Sequence, residues 1–193
     1  MYKITSILFL ISFAFISCNN EVSTRDKSAI NIEQDHTLIN KNENNTQTLI
    51  TKKGDSIYLE ISTPVGMSLN NITIKTPNFE NTKPISLIDT DPVNKIKLYD
   101  LDNDGFEELF IFTTAAGSGS YGTIYAYSTN KGLYLSEIKT DILDQKIRGY
   151  TGHDNFSFEG EKLIRAYPLN YRKNDKSISI IKYQLNNGRL TII

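Results

Sequence analysis

The chain has 193 residues, 39% hydrophobic and 22% charged, an ordinary globular composition with length enough for one core. Its formal net charge of -1 excludes the broad positive field that neutralises a phosphate backbone, so no nucleic acid is expected as a partner.

At the N-terminus, Lys3 is followed by an apolar run from Ile4 to Ile16, shorter than the roughly 20 residues that span a bilayer. It reads as a signal peptide over residues 1–17. The run ends Phe15-Ile16-Ser17-Cys18, which resembles the cleavage site of bacterial lipoproteins. That resemblance implies cleavage before Cys18, acylation of its thiol and attachment to a membrane through the lipid. With the single cysteine lipidated, the mature chain has no disulfide, no thiolate metal site and no cysteine nucleophile. Asn19 does not resemble an aspartate-type inner-membrane retention signal, so an outer-membrane lipoprotein is expected. Only Glu21 supplies acid near the anchor, weak support for surface export, and the periplasmic side is expected over the cell surface.

Residues 18–48 are rich in Asn, Asp, Glu, Lys, Ser and Thr, with isolated apolar residues and no sustained period. They read as a lipid-anchored, disordered tether whose r.m.s. reach is on the order of 30 Å. Residues 49–193 form the expected domain. Its period is two almost everywhere, in Ile57–Ile61, Ile72–Lys75, Ile96–Tyr99, Thr123–Tyr127, Phe156–Phe158 and Ile178–Tyr183. Turn signals recur at Thr63-Pro64-Val65-Gly66, Asn130-Lys131-Gly132 and Asn186-Asn187-Gly188, the last leading into Arg189–Ile192. The spacing predicts an all-β fold, an antiparallel β-sandwich or distorted barrel of about eight strands. One helical turn is expected near Asp141–Lys146.

The segment Asp100-Leu101-Asp102-Asn103-Asp104-Gly105-Phe106-Glu107-Glu108 places oxygen ligands at relative positions one, three, five and nine, with glycine at six. Asp100, Asp102, Asp104 and Glu108 thus form a candidate site for a structural Ca²⁺. The pattern departs from an EF-hand, because position twelve is Ile111 and both flanks alternate like strands. It looks more like the short calcium loops that join strands in FG-GAP-type and propeller repeats. A solvated acidic turn held by Asp and Asn side chains is the other reading. Neither requires a cofactor for activity.

Between the apolar strand Leu109–Phe112 and the strand from Thr123 lies Ala115-Ala116-Gly117-Ser118-Gly119-Ser120-Tyr121-Gly122. Gly117, Gly119 and Gly122 formally satisfy G-x-G-x-x-G, but the following residues are β-branched and aromatic, whereas a dinucleotide site needs a helix there. Neither Ser118 nor Ser120 has the flanking glycines of a nucleophile elbow. Glu159, Glu161 and Asp154 lie near one another in sequence without any shared substrate feature; an envelope hydrolase would require them to form an acid-base pair exposed in a cleft and stays a further alternative, while no enzymatic activity is expected.

Three stretches together resemble the periplasmic inhibitors of invertebrate-type (i-type) lysozyme: Asp100–Gly105 with Glu108-Leu109, Ala116–Gly122 with Tyr125-Ala126-Tyr127, and Arg148-Gly149-Tyr150-Thr151-Gly152-His153. The resemblance covers about Ile96 to Tyr171. It implies a lysozyme inhibitor that inserts the Ser-Gly-x-Tyr loop, here Ser118, Gly119, Ser120 and Tyr121, into the enzyme's cleft. Gly117 and Gly122 would shape the loop, and Tyr150 and His153 would form its rim. The chemistry agrees, because a glycosidase works with one protonated and one ionised carboxyl group. The hydroxyls of Ser118 and Tyr121 can each donate to the carboxylate and accept from the acid without importing a charge. The alternative is a calcium-stabilised adhesion or glycan-binding module of the cell envelope. Whether the domain forms a homodimer is left open.

Overall fold

A computed structural model describes residues 45–141, 150–169 and 177–193. The signal peptide, Cys18, the tether up to residue 44, residues 142–146 of the expected helical turn and the stretch Arg148-Gly149 lie outside the described residues.

The described residues are all-β. Their twelve strands are β1 (Thr46–Ile50), β2 (Ser56–Ser62), β3 (Asn70–Lys75), β4 (Ile85–Thr90), β5 (Val93–Tyr99), β6 (Glu108–Thr114), β7 (Gly122–Ser128), β8 (Ser136–Thr140), β9 (Asn155–Glu159), β10 (Lys162–Pro168), β11 (Ile178–Asn186) and β12 (Arg189–Ile192). A 3₁₀ turn, Asn130–Gly132, stands between β7 and β8. β1 opens at Thr46, inside the stretch expected as tether, because Thr46–Thr48 pair with Tyr58–Glu60 of β2.

β1–β4 form a four-stranded sheet, and β5–β12 an eight-stranded sheet in the order β5-β6-β7-β8-β12-β11-β10-β9. Every pairing is antiparallel except the short parallel contact of β12 with β8. The β11–β12 hairpin turns on Asn187 and Gly188, with φ of 50° and 69°, which suits the right-handed twist of the flanking strands.

β6 explains the layering. Its alternate residues feed two cores. Leu109 and Ile111 pack with Leu49, Ile57, Leu59, Ile72 and Ile74 of the four-stranded sheet. Phe110 and Phe112 point the other way, against Phe156, Leu163, Tyr183 and Leu185 of β9–β11. The eight-stranded sheet therefore curls until its second half covers its first. Its two edge strands meet through side chains: the Tyr99 ring of β5 stacks on Phe158 of β9 at 4.3 Å, and the Lys95 ammonium donates to the Phe156 carbonyl at 3.2 Å. A strand buried on both faces has no polar side to show, which is why Leu-Phe-Ile-Phe is continuous rather than alternating.

Register also fixes which loops share an end of the domain. Ser62 pairs with Asn71, Asn70 with Thr90, Val93 with Thr113, and Thr114 with Gly122. The Thr114 amide donates to the Pro92 carbonyl at 2.9 Å. The β2–β3 hairpin, the β4–β5 link and the β6–β7 loop thus stand at one end, with the acidic β5–β6 loop at the other.

Candidate functional site

The β6–β7 loop is closed at its base by ordinary strand geometry, with the Ala115 amide donating to the Tyr121 carbonyl at 2.9 Å. Inside it, the Ser120 amide donates to the Gly117 carbonyl at 3.0 Å and Ser120 takes a left-handed φ of 43°. Ala116, Gly117 and Ser118 form the exposed tip. The Tyr121 ring is 37% exposed and lies across Gly119, where an added Cβ would stand 2.3 Å from the ring. The phenol is therefore neither buried beneath its own sheet nor swinging free.

The second expected segment, Tyr150–His153, forms the cradle of this loop. The His153 amide donates to the carbonyls of Gly119 and Ser120, at 3.0 and 3.1 Å. Gly152, at φ 78°, approaches Gly119 so closely that a Cβ there would lie 1.8 Å from the Gly119 oxygen. His153 is half-buried beside the loop. Tyr150 departs from the rim expected of it, being only 8% exposed, with its ring edge-on to Tyr121 on one side and to Tyr167 on the other.

What draws Tyr150 inward is a buried polar cluster. Asp154, whose side chain is fully buried, accepts from the Arg165 Nε, the Tyr150 hydroxyl and the Gly122 amide, each at 2.7 Å. Arg165 of β10 reaches back with its Nη2 to the Gly122 carbonyl at 3.1 Å and the Tyr150 hydroxyl at 2.5 Å. Gly122 is where the loop becomes strand β7, so both of its backbone polar groups are held by one ion pair. Burial, with the Asp154 hydrogen bond, pushes the Tyr150 phenol above its usual range. Burial alone would lower the Arg165 guanidinium, but the ion pair with Asp154 outweighs it and holds the proton more tightly than usual. A broken buried pair leaves an uncompensated charge, so the cluster resists movement.

In the sequence Asp154 is one of three nearby acids. Glu159 pairs instead with Lys182 on the surface at 3.2 Å, and Asp154 is committed to Arg165, so the two carboxylates occupy different environments. Arg165 belongs to no motif of the sequence. The signal was present: Leu163, Arg165 and Tyr167 share a face by alternation, and a cation on a core face requires a partner.

The glycines divide by role. Gly119 and Gly122 are required for space, the latter because a Cβ would stand 2.7 Å from the Phe156 ring. Gly117 has open space and no positive φ, so nothing in its surroundings demands glycine. Gly122 opens a strand, in keeping with the rejection of the dinucleotide motif.

At the far end, Asp100, Asp102 and Glu108 each bring a carboxylate oxygen to within 4.8 Å of the others, without Asp104. Asp104 instead accepts from the Phe106 amide at 2.8 Å, and Asp100 accepts from the amides of Asp104 and Gly105 at 3.1 and 3.0 Å. Glu108 is 2% exposed, accepts from the Leu101 amide at 2.9 Å, and is pushed up to about 8 by burial and the neighbouring aspartates. The donor set suits a hard cation, which would have to displace the Glu108 proton on binding.

No family model matches the chain, and no curated protein matches it. Among solved structures, it is similar to Aeromonas hydrophila PliI in complex with Meretrix lusoria lysozyme, at 21% identity over 49% of this chain and 81% of that chain, with a TM-score of 0.38.

Proposed function

We propose that this chain is a non-enzymatic lysozyme inhibitor that occludes the cleft of its target with the Ser118–Tyr121 loop. The observation that carries this reading is a slim, exposed tip standing on a hydrogen-bonded base: Ser118 and Tyr121 are accessible, while Gly119 and Ser120 are bonded from behind by His153, and Gly122 by Asp154 and Arg165. A preordered loop surrenders little conformational freedom on binding, and that preorganisation favours affinity. Two neutral hydroxyls suit an acid and a carboxylate facing each other across a sugar groove. The motif resemblance over Ile96–Tyr171 names the i-type enzymes as first targets. We further place the domain on a membrane by lipid at Cys18, facing the periplasm.

The test is a lysis assay and pull-down with the purified protein against invertebrate-, chicken- and goose-type lysozymes. Inhibition of at least one, lost in Tyr121→Ala, is expected; absence of association with all three overturns the reading. The Asp100, Asp102 and Glu108 cluster favours a second reading as a calcium-stabilised glycan-binding module. Sugar binding abolished by chelation, without lysozyme association, would establish that one.

A further inference from the structure

Stable protein complexes bury about 800 Å² on each partner, drawn from about 20–30 residues a side. The β6–β7 loop exposes three residues at its tip and part of one tyrosine ring, far less than such a footprint requires. The rest must come from the same end of the domain, and the register identifies what stands there. The β2–β3 hairpin carries Val65, 103% exposed, and Met67, 52% exposed, and Ile88 of β4 is 63% exposed beside the start of β3. Val65 and Met67 face solvent in a turn where polar residues are the rule, Ile88 faces solvent from the edge strand β4, and neither core includes any of the three. The path back to the loop is short: Asn70 pairs with Thr90, two residues lead to Pro92, and its carbonyl binds the Thr114 amide. Asp91, half-buried, lies on that path, and the exposed Asp89 flanks it.

We infer that the Val65–Met67 hairpin is a second arm of the inhibitory surface, contacting an apolar spot beside the target's groove, with Asp89 and Asp91 facing cationic side chains between the two arms. The inference rests on the proposed inhibitor function and adds its specificity element: the loop reads the carboxyl pair common to glycosidases, and the hairpin reads the surface outside it. Apolar anchors govern how long a complex lasts, whereas the intervening acids govern how fast it forms.

The deciding experiment measures binding kinetics of the full chain and of Val65→Ser with Met67→Ser on a lysozyme that the unmodified chain inhibits. Both side chains are in solvent, so the double variant is expected to keep its melting temperature. We expect dissociation about tenfold faster or more, with the association rate little changed, and Asp89→Asn with Asp91→Asn to slow association and flatten its salt dependence. An unchanged dissociation rate overturns the second arm while leaving inhibition by the loop intact. Phosphatidylethanolamine–phosphatidylglycerol vesicles form a control arm: vesicle binding lost in the double variant, at unaltered lysozyme affinity, assigns the hairpin to lipid and overturns the inference. If no lysozyme binds the unmodified chain, inhibitor and arm fall together.

Discussion

Gly152 stands against the carbonyl of Gly119 so closely that any side chain at position 152 would begin 1.8 Å from that oxygen. The two loops are thus not merely neighbours, since the backbone of one is the floor of the other. Gly152→Ala must both strain a φ of 78° and push Gly119 away, at a cost of about 1–3 kcal/mol. A lower melting temperature and faster amide exchange at His153 are the expected results. An alanine variant with wild-type stability and exchange would show that the loops do not touch.

Tyr121 and Gly117 separate contact from shape. Tyr121→Ala removes a ring that packs on Gly119 and Tyr150 but is 37% exposed, so the fold should be retained with a stability loss of about 1–2 kcal/mol. Inhibition should weaken by about 2 kcal/mol or more, roughly thirtyfold. Gly117→Ala, with open space around it, is expected to stay within about 0.5 kcal/mol of the parent in stability. Thermal melts and inhibition titrations of the two variants side by side check both statements.

The Asp154–Arg165 pair is expected to matter twice. Asp154→Ala strands a buried guanidinium and should cost about 3–5 kcal/mol in unfolding free energy. Asp154→Leu combined with Arg165→Met removes both charges and should recover much of that loss, since well-packed apolar replacements of buried pairs are often neutral. It cannot recover the hydrogen bonds to Gly122, so inhibition should remain weak although the fold is restored. Recovery of stability and inhibition together would exclude the pair from loop positioning.

Glu108 gives the domain a pH dependence of definite sign. Its carboxyl is held near 8 in the folded state and returns to about 4.5 in the unfolded chain. Between those values the unfolded chain releases a proton that the folded one keeps. The stability Glu108 contributes is therefore complete below pH 4.5 and is lost as pH rises through 8. Glu108→Gln, which keeps an acceptor for the Leu101 amide, should flatten the melting-temperature profile across that window. A parallel profile for the variant would assign the dependence elsewhere.

The local pattern was legible where a strand has one wet face. Ile57–Ile61, Ile72–Lys75 and Thr123–Tyr127 alternate and appear as β2, β3 and β7. The Asn186-Asn187-Gly188 signal closes its hairpin with the two positive φ angles that such a turn needs. β4 and β8 lack a sustained alternation: their mixed sequences Ile-Ser-Leu-Ile-Asp-Thr and Ser-Glu-Ile-Lys-Thr lie at partly exposed positions, where strand formation depends on the neighbour more than on the residues. β8 is held on one side by β7 and on the other by a two-residue parallel contact with β12, some fifty residues away in sequence, which no local window contains.

The candidate loop shows the same division. Its identity as a small, hydroxyl-bearing insertion between two strands is written in Gly117–Gly122, because turn chemistry and period are local properties of the chain. That Tyr150 would be drawn off the rim and buried, that Asp154 would serve as an anchor rather than an acid, and that Arg165 would hold both polar groups of Gly122 came only from the tertiary structure. The physical reason is desolvation: a charge becomes structural when the fold excludes water around it, and the sequence does not state where water will be excluded.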